Sequence, residues 1–265
     1  MNLRLTILGC GSSGGVPRVA QGFGACDPSN PRNVRRRCSA LLERRTERGA
    51  TLVLIDTSPD LRLQLIDAGV ARLDAVLMTH PHADHTHGID DLRPLVIAQH
   101  RRVDIHMDSA TSRDVRTKFD YVFETPEGSS YPPIAREHRL EAGMEVEVAG
   151  PGGVIRATPF DLEHGDISAL GFRVGALAYT PDLSRVPEAS LSFLEGLDVW
   201  VIDALRYAPH PSHLSLTEAL ALIERLRPKR AVLTNLHTDL DYATLAAELP
   251  PHIEPAFDGM RIEGF

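Results

Sequence analysis

Thr79-His80-Pro81-His82-Ala83-Asp84-His85 places three imidazoles and a carboxylate directly after the apolar run Ala75–Thr79, which predicts a buried strand. His80 and His82 are two residues apart, so in an extended chain both imidazoles point to the same side. Imidazole and carboxylate groups are the ligands that zinc and related transition metals prefer. A chance cluster of surface histidines is the alternative, but the preceding strand and the interleaved Asp84 are not features of a low-complexity tract. The segment therefore predicts a metal site at the end of a buried strand.

Further ligands for a site with two metal ions have to come from distant parts of the chain. The candidates share one property, which is that each follows an apolar run: His164 after Val154–Phe160, Asp182 after Leu177–Thr180, and His237 after Ala231–Thr234. An ordinary loop histidine or a turn-forming aspartate would explain each of them alone. Their common position just after predicted strands favours a shared site.

The complete pattern resembles the metallo-β-lactamase superfamily, whose signature is H-x-H-x-D-H followed by a distant His, an Asp and a final His at strand ends. The glycine-rich segment Leu8-Gly-Cys-Gly-Ser-Ser-Gly-Gly-Val-Pro17 resembles the branch that contains tRNase Z and the phosphoribosyl 1,2-cyclic phosphate phosphodiesterase, and the second of these is the closer likeness. The resemblance covers nearly the whole chain. It implies an α/β (α+β) fold, a four-layer αββα sandwich, with residues 1–265 forming a single domain.

The same resemblance implies two divalent metal ions and assigns their ligands. One ion is held by His80, His82 and His164, and the second by Asp84, His85 and a late histidine. Asp182 bridges the two ions, with a water or hydroxide opposite. Zinc is the expected metal, and manganese is the alternative.

The late ligand departs from the family pattern, in which a histidine usually follows threonine directly. Here Asn235 follows Thr234, and the histidine comes two residues later. Two residues along an extended chain return to the same face, so His237 could still reach the metal. Asn235 could instead bind through its amide oxygen. Because imidazole is the better ligand for zinc, we expect His237 to be the ligand.

A two-metal site with a bridging hydroxide suits the hydrolysis of a phosphodiester, whose leaving oxygen needs a proton. His213 lies just before a predicted capped helix that starts at Ser215, and by resemblance it is the general acid. The alternative is that His213 only covers the start of the helix. We expect His213 and Asp84 to be the catalytic residues, with His210 a weaker candidate for the acid. Asp56 ends a predicted strand and could orient a ligand imidazole, or could be a turn residue.

The glycine-rich loop could bind a phosphate through its backbone N–H groups and through Ser12 or Ser13, and His210 is a further candidate for substrate binding. The loop lacks the Gly-Lys-Ser/Thr of nucleoside triphosphate-binding loops, which excludes that class. A tight turn packed near the site explains the same glycines equally well.

The composition of the chain limits the classes of substrate that it could bind. The chain has 265 residues, 28 of them basic and 36 acidic, so the net charge of −8 argues against broad binding of nucleic acid. With 43% apolar residues it can bury a full core. The predicted function is hydrolysis of a small cyclic phosphate ester of ribose or a nucleotide. The alternatives are tRNA 3′ processing, another metal hydrolase of this fold, such as a lactamase or thioester hydrolase, and a metal-binding protein without activity.

The cellular context is predicted from what the sequence lacks. Neither a signal peptide nor an apolar stretch long enough to span a membrane is visible, so we expect a cytoplasmic protein without a membrane partner. Cys10, Cys26 and Cys38 are too few for a disulfide framework. The chain is compatible with a homodimer.

Overall fold

The computed structural model describes residues 3–265. Its strands are β1 (Leu3–Gly9), β2 (Ser39–Thr46), β3 (Gly49–Ile55), β4 (Ala75–Leu77), β5 (Val103–Met107), β6 (Ala135–Arg139), β7 (Val146–Gly150), β8 (Gly153–His164), β9 (Ile167–Val174), β10 (Leu177–Thr180), β11 (Val199–Asp203), β12 (Arg230–Thr234), β13 (Ile253–Pro255) and β14 (Arg261–Glu263). Its α-helices are α1 (Leu61–Asp67), α2 (Ala83–Thr86), α3 (Arg93–Gln99), α4 (Ser109–Phe119), α5 (Leu216–Leu226) and α6 (Tyr242–Glu248).

The strands form two mixed sheets of the same design. One sheet has the order β14-β1-β2-β3-β4-β5-β6, and the other has the order β13-β12-β11-β10-β9-β8-β7. In each sheet three antiparallel pairings are followed by three parallel ones, from β3 to β6 in the first and from β10 to β13 in the second. Parallel strands carry their carboxyl ends to one edge, so residues that follow them gather there.

Successive side chains along a strand point to opposite faces of its sheet, and this alternation explains why each sheet packs against the other sheet on one face and against helices on the other. On β3, Val53 and Ile55 pack into the cluster between the sheets, whereas Leu54 packs outward against α1. On β12, Val232 faces the other sheet and Leu233 packs on the side of α5 and α6. Because both faces of these strands are covered, their sequences are continuously apolar. The predicted αββα sandwich is confirmed.

Local side-chain contacts mark the starts of helices α5 and α1. Ser215 and Glu218 form the predicted capping box at the start of α5. Helix α1 begins at Leu61, three residues after Ser58. The Ser58 hydroxyl donates to the side chain of Gln64, which lies on α1 (Oγ to Oε1, 2.8 Å). Gly69, at φ +66°, follows the end of α1.

All three cysteines are buried and unpaired. Among the residues that the structure describes, no helix combines the length and apolar character required to cross a bilayer.

Candidate metal centre

The candidate ligands lie where strands of both sheets end. From the first sheet, His80 and His82 follow β4, and Asp84 and His85 lie on the short helix α2. From the second sheet, His164 is the last residue of β8, and Asp182 follows β10 by two residues. The sandwich therefore brings together side chains that are up to 102 positions apart in the sequence, from His80 to Asp182.

Their ligand atoms form overlapping groups with separations suited to metal coordination. Atoms of His80, His82 and His164 lie within 4.8 Å of one another, and so do atoms of His80, His85 and Asp182. His164 Nε2 is 3.2 Å from His82 Nδ1, and His85 Nε2 is 3.0 Å from Asp182 Oδ2. Asp84 Oδ2 lies 3.5 Å from His85 Nε2. Six of the seven predicted ligands are thus brought to one place.

In His80, His85 and His164, one ring nitrogen is held by the surrounding protein, which leaves the other nitrogen for the cluster. His85 donates Nδ1–H to Asp56 Oδ2 (2.7 Å), and His164 donates Nδ1–H to the Ser212 carbonyl (2.6 Å). The Thr79 hydroxyl donates to Asp56 Oδ2 (2.8 Å), so it accepts from His80 Nδ1 (2.9 Å). Such bonds set the tautomer and the ring orientation of metal-binding histidines.

Within residues 3–265, the cluster contains buried polar atoms that no protein group satisfies. His80 Nε2, His85 Nε2 and Asp182 Oδ2 have no hydrogen bond of acceptable geometry, even though the last two atoms are close together. Burial lowers the pKa of His80 well below its usual range, which keeps that imidazole neutral and its lone pair available. Unsatisfied buried imidazole and carboxylate atoms at these separations fit a divalent cation such as zinc or manganese.

His213 lies at the edge of this cluster and is paired with a buried carboxylate. Its Nδ1 donates to Asp203 Oδ2 (2.9 Å) and is 3.6 Å from Asp182 Oδ1. Burial lowers the pKa of His213, but the hydrogen bond and the charge of Asp203 outweigh it and raise that pKa to about 9. His213 also forms a group of possible ligand atoms with His164 and Asp182, so geometry alone allows it to bind a metal.

The sequence reasoning did not identify Asp203. The same signal that singled out Asp56, an aspartate at the end of an apolar strand, could have found it, because Asp203 directly follows Val199–Ile202.

The structure does not bring His237 to the cluster. Within residues 3–265, none of the groups of possible metal ligands contains it, and its Nε2 accepts a hydrogen bond from the Arg18 guanidinium. The same-face argument for His237 assumed an extended backbone, and that assumption was wrong. Asn235 has φ +62°, so the chain turns before it reaches position 237. It is Asn235 itself, 1% exposed, that donates Nδ2–H to Asp182 Oδ1 (3.1 Å).

The three candidates for substrate binding have different environments. Ser12 is buried, and its hydroxyl has no hydrogen-bond partner in the part of the chain that the structure describes, whereas Ser13 is exposed. The His210 ring centroid is 5.1 Å from that of His213, which places His210 beside the cluster.

Comparison with known proteins agrees with this architecture. A family model described as a β-lactamase superfamily domain matches residues 51–235. A solved structure described as a new diphosphatase from the PhnP family is 34% identical, with a TM-score of 0.88 over 99% of this chain and 98% of that one. Zn²⁺-bound PqqB from Methylobacterium extorquens is 19% identical, with a TM-score of 0.74 over 98% of this chain and 99% of its own. The short form of human tRNase Z is 18% identical, with a TM-score of 0.63 over 98% of each chain. The last two similarities support the fold alone.

A curated relative, an octanoyltransferase of Porphyromonas gingivalis (strain ATCC BAA-308 / W83), is 33% identical over 264 residues. The alignment covers 98% of this chain and 51% of the relative, so the chain spans about half the length of that protein. Since the matching family model extends over more than half of the sequence and the two sheets pack as its fold requires, the chain belongs to the β-lactamase superfamily and has the metallo-β-lactamase fold.

Proposed function

We propose that this chain is a metal-dependent phosphodiesterase that hydrolyses a small phosphate ester, with a cyclic phosphate of ribose or a nucleotide as the expected substrate class. The observation that carries the proposal is the position of the His213–Asp203 pair beside the unsatisfied His80, His85 and Asp182 atoms. That arrangement combines a candidate proton donor with a candidate two-metal site, which is what the hydrolysis of an ester with a poor leaving group requires.

His80, His82 and His164 would hold one ion, and Asp84, His85 and Asp182 would hold the other, with Asp182 shared between them. Two divalent ions would supply a water of lowered pKa and would neutralise charge on the phosphoryl oxygens. Asn235 donates to Asp182 Oδ1 and so leaves Oδ2 as the oxygen that is free to bind metal. The protein would contribute ligands that are already oriented by their own hydrogen bonds, such as those of His85 and His164.

His213 would deliver the proton to the departing oxygen. With Nδ1–H bound to Asp203, its Nε2 is left to face the substrate, and the raised pKa keeps it protonated at neutral pH. Asp203 would stabilise this charged form and fix the ring, in the way that a buried carboxylate orients a catalytic imidazole. Asp84 would act in catalysis through the second ion.

The connection between β8 and β9 favours a small substrate over a tRNA. In the tRNA-processing branch of the family, a long basic arm is inserted between the third histidine and the bridging aspartate. Here His164 and Ile167 are joined by the two-residue turn Gly165–Asp166, and β9 and β10 fill the rest of the interval to Asp182. The net charge of −8 supports the same conclusion.

The proposal is tested with metal-depleted protein that is reloaded with zinc or manganese and assayed on a substrate panel. The panel contains a ribose cyclic phosphate, cyclic nucleotides, bis(p-nitrophenyl) phosphate, a pre-tRNA and a β-lactam. We expect turnover of the small phosphodiesters only, and its loss in His80→Ala. Cleavage of the pre-tRNA or the β-lactam in preference to every small phosphodiester would contradict the proposal, as would full activity of the depleted protein.

A further inference from the structure

A cavity of about 340 Å³ lies between the two sheets and is lined by residues of both. The first sheet contributes Leu3 and Arg44 to its lining, and the second contributes Thr158, Arg173 and Val174. We call this space the basal cavity. Its volume is within the range of sites that bind small molecules.

Strand β8 connects the basal cavity to the metal cluster and shows how far apart they are. Val154, near the start of β8, lines the cavity, and His164, the last residue of β8, is a candidate metal ligand. The ten residues from Val154 to His164 correspond to roughly 30 Å of extended strand. A molecule in the basal cavity would therefore not touch the reacting atoms at the metal cluster.

The cavity exists because β8 extends beyond its neighbour β9. Residues 154–157 pair with β7 on one side, whereas β9 pairs with β8 only from Thr158 and Arg173 onward. Strand β9 then ends at Val174. The second sheet is thus open at this point, and Arg44 of the first sheet donates Nη1–H to the Val154 carbonyl there.

Arg44 and Arg173 bring positive charge to the cavity that no carboxylate neutralises. Within residues 3–265, neither of them forms an ion pair, whereas Arg156 at the same cavity pairs with Glu145 (3.3 Å) and Glu147 (2.6 Å). Two uncompensated guanidinium groups beside a cavity, in a protein of net charge −8, favour the binding of an anion at this place.

Both guanidinium groups are held in position by the backbone. Arg173 donates Nη1–H to the carbonyls of Phe193 (2.9 Å) and Glu195 (3.0 Å). The Arg44 group packs over Gly153, where a Cβ atom would lie 3.4 Å from Arg44 Cζ. In the part of the chain that the structure describes, Nη2 of each arginine donates to no protein group and is available to an oxyanion. A guanidinium that is already positioned loses little freedom when it binds an anion.

Much of the remaining lining is apolar. Leu3 and Phe265 pack at the border of the core between the sheets, and Val174 belongs to that core. An inorganic ion would leave these side chains uncovered. An organic acid would cover them with its hydrocarbon part while its oxygens bind the arginines, so both kinds of lining favour the same class of ligand.

We propose that the basal cavity binds a small organic acid, with its carboxylate on Arg44 and Arg173 and its apolar body against Leu3, Val174 and Phe265. The site lies apart from the metal ions and goes beyond the proposed phosphodiesterase function. Binding involves no covalent step.

The test compares three probes by calorimetry: 1-naphthoate, the uncharged 1-naphthamide with the same rings, and acetate, which has the charge without the rings. We expect 1-naphthoate to bind one site per chain at least about tenfold more tightly than either of the others, since charged hydrogen bonds and burial of the rings both contribute. Arg44→Gln should weaken binding of 1-naphthoate about tenfold, and Arg44→Lys, which keeps the charge, should weaken it less. Arg45→Gln is the matched control: Arg45 is the next residue on β2, is exposed and points to the opposite face, so this variant should bind as wild type.

Metal-loaded and chelator-treated proteins are titrated side by side, because a carboxylate can also bind metal ions. Equal affinity for 1-naphthoate in the two forms, weakened by Arg44→Gln, supports the basal cavity. Binding that needs metal, or that is unchanged in Arg44→Gln, would overturn the proposal. So would equal affinity of the wild type for 1-naphthoate and 1-naphthamide, or no detectable binding of 1-naphthoate.

Two further measurements keep this result independent of folding and of the proposed function. The melting curve of Arg44→Gln shows whether the variant is folded, and Arg173→Gln provides the same comparison if it is not. Turnover of a small phosphodiester is assayed separately. A protein that binds 1-naphthoate as expected but hydrolyses no phosphodiester would retain the basal site and reject the phosphodiesterase.

Discussion

At the scale of single residues, the candidate site is organised by hydrogen bonds that occupy one polar atom of a functional side chain and leave another atom of that side chain free. Asp56 accepts from His85 and from the Thr79 hydroxyl, and Asp203 accepts from His213. The opposite atoms, such as His80 Nε2 and Asp182 Oδ2, have no hydrogen-bond partner among the described residues. The contribution of a residue to this site therefore depends on the group that forms a hydrogen bond with it as well as on its own side chain.

Substitution of His213 tests its role as a proton donor. We expect His213→Ala to retain its metals and to lose about 10²- to 10⁴-fold in rate on a cyclic ribose phosphate, whose alkoxide must be protonated as it leaves. The loss on bis(p-nitrophenyl) phosphate should be far smaller, because p-nitrophenolate leaves without a proton. The measurement is kcat/KM for both substrates together with metal content. Equal losses would assign His213 to substrate positioning, and a fall in metal content would make it a ligand, with His210 the next candidate for the acid.

Substitution of Asn235 tests its support of Asp182. Asn235→Ala removes the donor to Asp182 Oδ1 and leaves a buried carboxylate free to rotate. We expect metal affinity to fall by about 10- to 100-fold, measured by competition with a chromogenic chelator. Asn33→Ala is the control, because that buried amide donates to Asp241 Oδ2 (2.7 Å), away from the cluster, and should cost stability without a change in metal affinity. Unchanged affinity in Asn235→Ala would remove Asn235 from the site.

At the scale of elements, the metal cluster depends on how closely α2 packs against the chain that follows β3. The backbone N–H of Thr57 donates to the His85 carbonyl (2.8 Å), and that of Gly88 donates to the Thr57 carbonyl (2.9 Å). These two bonds hold the H-x-H-x-D-H segment against the segment that carries Asp56. Gly88 is essential to this contact, because a Cβ atom there would lie 1.9 Å from the Ser58 carbonyl oxygen.

Gly88→Ala should therefore separate the two segments. We expect a loss of about 1–3 kcal/mol in the free energy of unfolding, as for other overpacked sites, together with weaker metal binding because Asp84 and His85 move with α2. Gly69→Ala is a matched control: Gly69 has φ +66° and open space around its Cα. It should cost about 1–2 kcal/mol of backbone strain and leave metal affinity unchanged. Chemical denaturation and metal titration of both variants provide the comparison, and equal metal affinities in the two would contradict this account.

At the scale of the whole molecule, the candidate ligands come from both sheets, so bound metal would tie the two halves of the sandwich together. His80, His82 and His85 belong to the first sheet's edge, and His164 and Asp182 belong to the second. The unfolded chain does not hold these groups close together, and metal binding therefore favours the folded state.

Removal of metal should lower the melting temperature. At a free metal concentration of about 100 times the Kd, a single ion stabilises the fold by about 2.7 kcal/mol. For a domain of this size, that corresponds to a shift of roughly 5–10 °C. The measurement is calorimetry of chelator-treated protein before and after addition of zinc. His164→Ala should respond much less, and an equal melting temperature with and without metal in the wild type would show that the cluster does not bind metal in the folded protein.

The sequence by itself determined the features that depend on short-range patterns. The apolar strands indicated only a mixed α/β or α+β fold, and the H-x-H-x-D-H segment with the strand-end positions of His164 and Asp182 carried the family resemblance that implied the sandwich and the candidate ligands. The strand predictions rest on side-chain alternation and burial, which are properties of neighbouring residues, and the grouping of the candidates follows because strand ends in such sheets meet at one edge.

Only the tertiary structure decided the placement of His237, the pairing of Asp203 with His213, and the approach of Arg18 to His237. The positive φ of Asn235 is a backbone state that the spacing of residues does not reveal, and it turns His237 away from the cluster. Arg18 and His237 are 219 positions apart, so their hydrogen bond exists only because packing of the two sheets brings the glycine-rich loop to the end of β12. Contacts of that range depend on how the layers fit together, which no local pattern encodes.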